Sequence, residues 1–234
     1  MTPPPGNLRV VERYSGRVTE LKRAIRGFVH SGALAPRPGR WPTTSVDAVT
    51  VKIVDCPHTT PAWTDSGIVC LRTTNFRVSG LDLSVVRYVS SSTYQERVVR
   101  LKPEPGDVVY SREGGILGIA CVIPPGCTVC LGQRMLLMRP DTARCLPQYL
   151  ALVLNAPQTI ARVEALTGGT ASPHLNVGDV RKFAVPLPPI DVQEFIIAKS
   201  QQLLALCDDL EAKLRRAEDR ASRLVEAVVR EMVA

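Results

Sequence analysis

The chain has 234 residues, 45% of them hydrophobic, seven cysteines, and a formal charge of +7 from 29 Lys and Arg against 22 Asp and Glu. That gives room for one ordinary domain with a real core plus some further structure. The seven cysteines are odd in number and irregularly spaced, which sets aside a disulfide framework, and they read as small buried hydrophobes. No apolar run is of membrane-spanning length, and the opening Met-Thr-Pro-Pro-Pro-Gly-Asn lacks the form of a signal peptide, so a cytoplasmic protein with no membrane attachment is expected.

In chain order, residues 7–31 predict a first helix with Leu21, Ile25, Phe28 and Val29 on one side, ended by Gly32. Pro36, Pro38 and Gly39 form a linker. From Trp41 the pattern changes to short β-type runs at 49–54, 67–72, 107–112, 116–123 and 135–139, separated by Pro, Gly and Ser clusters. Two short helices follow at 147–154 and 157–166, each with Pro in its first turn, where the missing amide costs nothing. A Gly-rich loop, 167–174, leads through Asn176 as an N-cap into a short helix at 177–182 and then a strand at 183–187.

From residue 190 the chain runs to Ala234 without Gly or Pro. Asp191 and Glu194 have the spacing of a capping box. Apolar or small residues then recur at Ile196 and, one heptad on and thereafter in steps of four and three, at Leu203, Cys207, Leu210, Leu214, Ala217, Ala221, Leu224 and Val228, with charge on both flanks. This is a heptad seam, and a helix that presents one is stabilised by a partner helix. At 1.5 Å per residue it would be about 65 Å long. Three regions are expected: an N-terminal helix and linker (1–40), an α+β domain with a mainly antiparallel sheet and short helices (41–189), and a long coiled-coil helix (190–234).

Charge is unevenly divided. Residues 191–234 carry seven Lys or Arg against nine Asp or Glu, leaving 22 against 13 in residues 1–190. The basic part is the part before the long helix, and an Arg-rich domain points to a polyanion such as nucleic acid, although an ordinary solvated surface reaches the same balance.

Several runs in this order resemble one family. They are Asp-Cys-Pro-His-Thr-Thr-Pro (55–61), Leu-Arg-Thr-Thr-Asn-Phe (71–76), Gly-Asp-Val-Val-Tyr-Ser-Arg-Glu-Gly-Gly-Ile-Leu-Gly (106–118), and the stretch from Thr-Gly-Gly-Thr-Ala-Ser-Pro-His to Pro-Leu-Pro-Pro-Ile-Asp-Val-Gln-Glu (167–194), followed by a heptad helix. The chain is thereby similar to the specificity subunits of type I restriction-modification enzymes. The resemblance implies a target recognition domain over 41–189 that reads bases in the DNA major groove, and a spacer helix over 190–234 that packs antiparallel on another and fixes the gap between two half-sites. Members of that family carry two recognition domains, so this chain resembles a half-subunit. The run 21–36 is similar to the tail that usually follows a spacer helix, yet here it precedes the recognition domain. A homodimer of halves on a bipartite palindromic site is expected, with pairing to a different half left open.

On the same resemblance the chemistry belongs to partners: adenine methyltransferase subunits that flip the target base, and a restriction and translocase subunit. S-adenosylmethionine, ATP and Mg would be bound there and no cofactor here. The residues agree with a non-catalytic chain. There is no Asn-Pro-Pro-Tyr, no Walker A sequence and no Gly-x-Ser-x-Gly. Gly114, Gly115 and Gly118 precede β-type residues rather than a helix and fit a tight turn better than a phosphate cradle. Cys127 and Cys130, with Cys121 nearby, lack the second pair that zinc needs, so no metal site is expected.

Candidate DNA contacts are donors on loops and strand ends: His58, Thr59, Arg72, Thr74, Asn75, Arg112, Gln133, Arg134, Thr170, Ser172, His174 and Asn176. Asn176 also fits a helix cap, and His58 a turn. Candidate dimer residues on the seam are Leu203, Leu210, Leu214, Leu224 and Val228. Two other classes remain open: a coiled-coil adaptor whose basic β domain lacks DNA specificity, and a cysteine hydrolase or transferase using His58 or His174 as base.

Overall fold

Short strands buried on both faces organise most of the molecule. The computed structural model describes residues 6–36, 39, 41–168 and 173–233. In chain order the elements are α1 (Gly6–Ser31), β1 (Thr43–Ser45), β2 (Thr50–Asp55), β3 (Trp63–Thr64), β4 (Ile68–Leu71), β5 (Phe76–Arg77), β6 (Gly80–Leu81) and β7 (Arg87–Val89). They continue with α2 (Ser91–Arg97), β8 (Val108–Ser111), β9 (Ala120–Val122), β10 (Val129–Leu131), β11 (Met135–Pro140), α3 (Pro147–Leu154), α4 (Pro157–Thr167), α5 (Val177–Arg181), β12 (Ala184–Pro186) and α6 (Ile190–Val233). The class is α+β, as expected. The chain divides into two compact units, residues 27–197 and a unit formed by residues 1–26 with 198–234.

In residues 27–197, one antiparallel sheet has the order β2-β11-β8-β9 and a second has the order β10-β4-β7-β3, in which β10 and β4 are parallel. Successive side chains of a strand point to opposite faces, and both sheets use both faces. From the first sheet, Val108, Tyr110, Leu136, Met138 and Ile53 join Tyr149, Leu150 and Leu154 of α3 in one core. Their neighbours Val109, Met135 and Leu137 turn the other way, onto Leu71, Val129 and Leu131 of the second sheet. The far side of that sheet, Cys70, Val89 and Cys130, packs on Tyr94 of α2. The layers are therefore α3 and α4, sheet, sheet, α2. Strands buried on both faces read as continuous apolar runs, which is how β4, β8 and β11 show in the sequence.

Polar side chains close the edges. Asn155, just past α3, accepts from the Ala120 amide at 2.9 Å and donates to the Ala120 carbonyl at 2.8 Å, satisfying the outer edge of β9 as a neighbouring strand would. The Tyr149 hydroxyl donates to the Pro186 carbonyl at 2.8 Å and ties β12 to α3.

Three expectations are corrected. The run 116–123 is strand only from Ala120, because Gly118 at φ +79° turns the chain and its amide returns to the Ser111 carbonyl. Asp191 does not cap α6. It lies within the first turn, while the buried Gln193 accepts from the Leu146 amide and donates to the Arg144 and Pro188 carbonyls. Asn176 occupies the N-cap position of α5, but its side chain makes no capping hydrogen bond.

In the other unit α1 lies against α6. Val18 and Ile25 pack with Cys207, Leu203, Leu204 and Leu214. The Lys22 ammonium pairs with Asp208 at 2.7 Å and Glu211 at 2.6 Å. The seam is therefore occupied within the chain over Leu203 to Leu214. Its half-buried positions step from Cys207 to Glu211, Leu214, Glu218 and Ala221, which leaves Leu210 outside, 44% exposed. Leu224 and Val228 are exposed, along with Val225, Val229 and Met232.

The ion pair makes this unit pH-sensitive in both directions. Hydrogen bonds to Asp208 and Glu211 hold the Lys22 ammonium above its ordinary 10.5, and the bond from Lys22 holds the Glu211 carboxyl below its ordinary 4.5. A raised amine stabilises fully below 10.5 and loses that contribution as pH rises through its folded value. A depressed carboxyl stabilises above 4.5 and loses it as pH falls. Thermal unfolding followed by helical circular dichroism should show a plateau between these limits, and Lys22→Met should flatten both limbs. An unchanged pH profile in that variant would show that the ion pair contributes nothing.

Candidate nucleic-acid interface

Loops from four places in the chain meet at one end of the two sheets, and a buried arginine joins them. Arg112 follows β8 with its side chain only 4% exposed. Its Nε and Nη2 donate to both oxygens of Asp55, the last residue of β2, at 3.0 and 2.9 Å. Nη2 also lies 2.8 Å from Glu113 Oε1, and Nη1 donates to the Leu175 carbonyl at 3.0 Å. Two carboxylates and a carbonyl around one guanidinium give a buried cation the partners it requires.

Two histidines flank this centre. His58 Nε2 is 3.0 Å from Asp55 Oδ2, and His174 Nδ1 is 3.2 Å from Glu113 Oε1. Backbone bonds repeat the connection: the Arg112 amide donates to the Arg134 carbonyl, the Leu175 amide to the Arg112 carbonyl, and the Gly114 amide to the Pro173 carbonyl. Gln133 Nε2 donates to the His58 carbonyl. The loop after β2, the turn after β8, the turn between β10 and β11, and the segment before α5 thus form one constellation.

The turn 132–134 has two demanding positions. A Cβ on Gly132 would stand 2.5 Å from the Leu71 carbonyl, so only glycine lets this turn approach β4. Arg134 adopts φ +69°, the one non-glycine residue with positive φ among the described residues. That backbone is disfavoured for a side chain of its size. It lifts an exposed guanidinium beside Gly114, whose own φ is +86°.

The candidate residues divide by what their donors already do. His58, Thr59, Thr74, Arg134, His174 and Asn176 are exposed, and Arg72 and Gln133 are half-buried. Asn75 is buried: its amide accepts from the Arg72 amide and donates to the Asp82 and Val85 carbonyls, shaping the turn that presents Thr74. With Arg112 equally enclosed, neither has a free donor for a ligand, and both build the loops instead. Thr170 and Ser172 lie outside the described residues. The network joins His58, Arg112, Gln133, Arg134 and His174, and Arg72 adjoins Gly132. Sequence reasoning missed Asp55 and Glu113, because a search for groups that donate to DNA passes over the carboxylates that hold such groups in place.

The geometry gives the cysteine reading no support. The histidines here face carboxylates and Arg112. Burial pushes the Cys56 thiol up, and those of Cys121 and Cys145 to about 12, which suppresses thiolate. Cys130 faces Cys70 across the paired strands. No three His, Cys, Asp or Glu side chains are grouped to hold a metal among the described residues.

A family model described as the type I restriction modification DNA specificity domain matches residues 86–217. Two curated relatives are specificity subunits from Escherichia coli. That of the type I restriction enzyme EcoBI is 23% identical over 163 residues, covering 70% of this chain and 34% of that protein. That of EcoKI, from strain K12, is 25% identical over 167 residues, covering 68% and 35%. The chain thus spans about a third of the length of the curated relatives it matches. Among solved structures, the HsdS subunit from Thermoanaerobacter tengcongensis shares the fold at a TM-score of 0.55 and 19% identity, over 90% of this chain and 52% of that one. A chain from a structure of type I R-M complex assembly and conformational transition does so at 0.63 and 19%, over 99% and 60%.

Burial separates support from surface in a way that mutation can check. Arg112→Ala leaves Asp55 and Glu113 without their shared cation and should cost about 3–5 kcal/mol in urea unfolding. Arg134→Gly removes an exposed cation and relieves positive φ, so it should stabilise by up to about 1 kcal/mol. If Arg112→Ala unfolds at the same urea concentration as the unaltered chain, the network does not hold the loops.

Proposed function

The chain belongs to the type I restriction modification DNA specificity family, and we propose that it reads one half of a bipartite site in duplex DNA. The observation that carries this reading is the constellation around Arg112, which sets exposed donors of several chemistries on one end of the two sheets. Arg134 suits guanine, Gln133 suits adenine, and small hydroxyls and backbone amides suit phosphate. His58, Thr59, Arg72, Thr74 and His174 complete the surface, with Asn176 beside it; Thr170 and Ser172, which precede His174 in the sequence, are counted with them as contacts. Asn75 and Arg112 act behind it.

In this reading the chain is not itself an enzyme. It directs adenine methylation, and cleavage, by methyltransferase and restriction-translocase subunits, which bind S-adenosylmethionine, ATP and Mg. It works in the cytoplasm, where that DNA is. No described helix is long and apolar enough to cross a membrane.

The second half-site comes from a second copy. A helix of 44 residues is about 65 Å long, close to two turns of duplex at 34–36 Å each. Because α1 occupies Leu203 and Leu214, pairing falls to the exposed stripe of Leu224, Val225, Val228, Val229 and Met232. A two-fold pair of identical readers selects an interrupted palindrome.

Selection from a random duplex pool by the full chain should return an interrupted palindrome, with binding that weakens steeply with salt as counterions are displaced. Enrichment of no sequence would favour the adaptor reading. Leu224→Asp with Val228→Asp should place charge in the pairing stripe and convert dimer to monomer in sedimentation equilibrium, leaving helical content unchanged. A wild-type chain that is already monomeric and returns one asymmetric half-site would mean that a different half is its partner.

A further inference from the structure

Arg97 is the last residue of α2, and its side chain runs inward until the residue is 8% exposed. Nε donates to the Leu131 carbonyl at 2.6 Å, Nη2 to those of Gly132 at 2.6 Å and Pro57 at 3.3 Å, and Nη1 to that of Thr59 at 3.2 Å. Every acceptor is a backbone carbonyl, from two segments more than 70 residues apart. One segment carries His58 and Thr59, and the other runs directly into Gln133 and Arg134.

A guanidinium is a flat fork of five donors that never gives up its proton. Bonded to four carbonyls at once, it fixes their relative positions in its own plane. The segments need this. The loop after β2 lies between Pro57 and Pro61, which have no amide to extend the ladder of β2, and the Pro57 and Thr59 carbonyls take their bonds from Arg97 instead. The acceptors also leave the positive charge unneutralised, beneath a surface that would meet phosphate. Arg112, by contrast, is surrounded by carboxylates.

We propose that Arg97 is a positioning residue for base readout: it sets the spacing between the 57–59 loop and the 132–134 turn while meeting no DNA itself. This rests on the half-site reading above. Base edges are distinguished by hydrogen bonds that weaken within a few tenths of an ångström of displacement, whereas attraction to phosphate tolerates it.

Arg97→Lys separates the two effects, because lysine keeps the charge and loses the fork. With the full chain, affinity is compared for the selected duplex and a scrambled one of equal length, across a salt series. The expected result is a loss of tenfold or more in discrimination, with less than twofold change in scrambled-duplex affinity and an unchanged salt slope. Amide exchange should quicken at 58–60 and 132–134 and stay as it was in β8 and β11. Discrimination kept within twofold, or lost in equal measure with scrambled-duplex affinity, overturns the proposal. Should the variant fail to fold, exchange in the unaltered chain decides: the two segments must open together, and independent opening rates overturn the clamp. A wild-type chain that prefers no duplex defeats the half-site reading first, whereas preference retained by Arg97→Lys defeats only the role of Arg97.

Discussion

The two-pronged bond from Arg112 to Asp55 is the constraint on which the candidate interface depends. It joins the ends of β8 and β2, strands that do not neighbour each other in the sheet because β11 lies between them. Hydrogen bonding along the sheet fixes the strands but says nothing about the loops that leave it. A buried cation must be surrounded by acceptors or it destabilises the fold, so once Arg112 is enclosed, Asp55, Glu113 and the Leu175 carbonyl have to converge. The loop after β2, the turn after β8 and the segment before α5 are drawn together by that requirement.

A second constraint operates in the other unit. A helix with an apolar seam needs a partner, and α1 supplies one from within the chain through Val18, Ile25 and Lys22. The face turned to α1 carries Glu211 rather than the heptad's Leu210, and Lys22 reaches it. This partly exposed pair favours one register, because sliding either helix would part the charges.

Sequence legibility followed physical cause. Helices α3 and α4 and strands β4, β8 and β11 were readable because prolines mark the helix starts and because burial on both faces makes the strands apolar runs. The strands missed, such as β3, β5 and β6, have two residues each and no period to detect. Helix α2 was missed because Ser-Ser-Thr-Tyr-Gln-Glu-Arg has the composition of a loop, and only the bond from the Thr93 amide to Ser90 Oγ shows it as capped. Among the site residues, the sequence shows which side chains can donate but not which are already engaged. Asn75 and Gln133 are the same kind of group on similar loops, yet three bonds consume the first, and the second stands half-exposed. The seam was legible as a pattern, while its partner was not, since periodicity does not reveal that residues 18–25 of the same chain lie against it.

If duplex DNA is met at the end of the sheets around Arg112, as proposed, hydrogen exchange with and without a bound duplex shows it most directly. Protection should concentrate at 57–60, 72–74, 113–118, 132–134 and 173–176, while the opposite end of the same sheet, around Glu104, Asp107 and Asp141, keeps its rates. Protection centred on that opposite end, or spread evenly over the Lys and Arg of the surface, would contradict it.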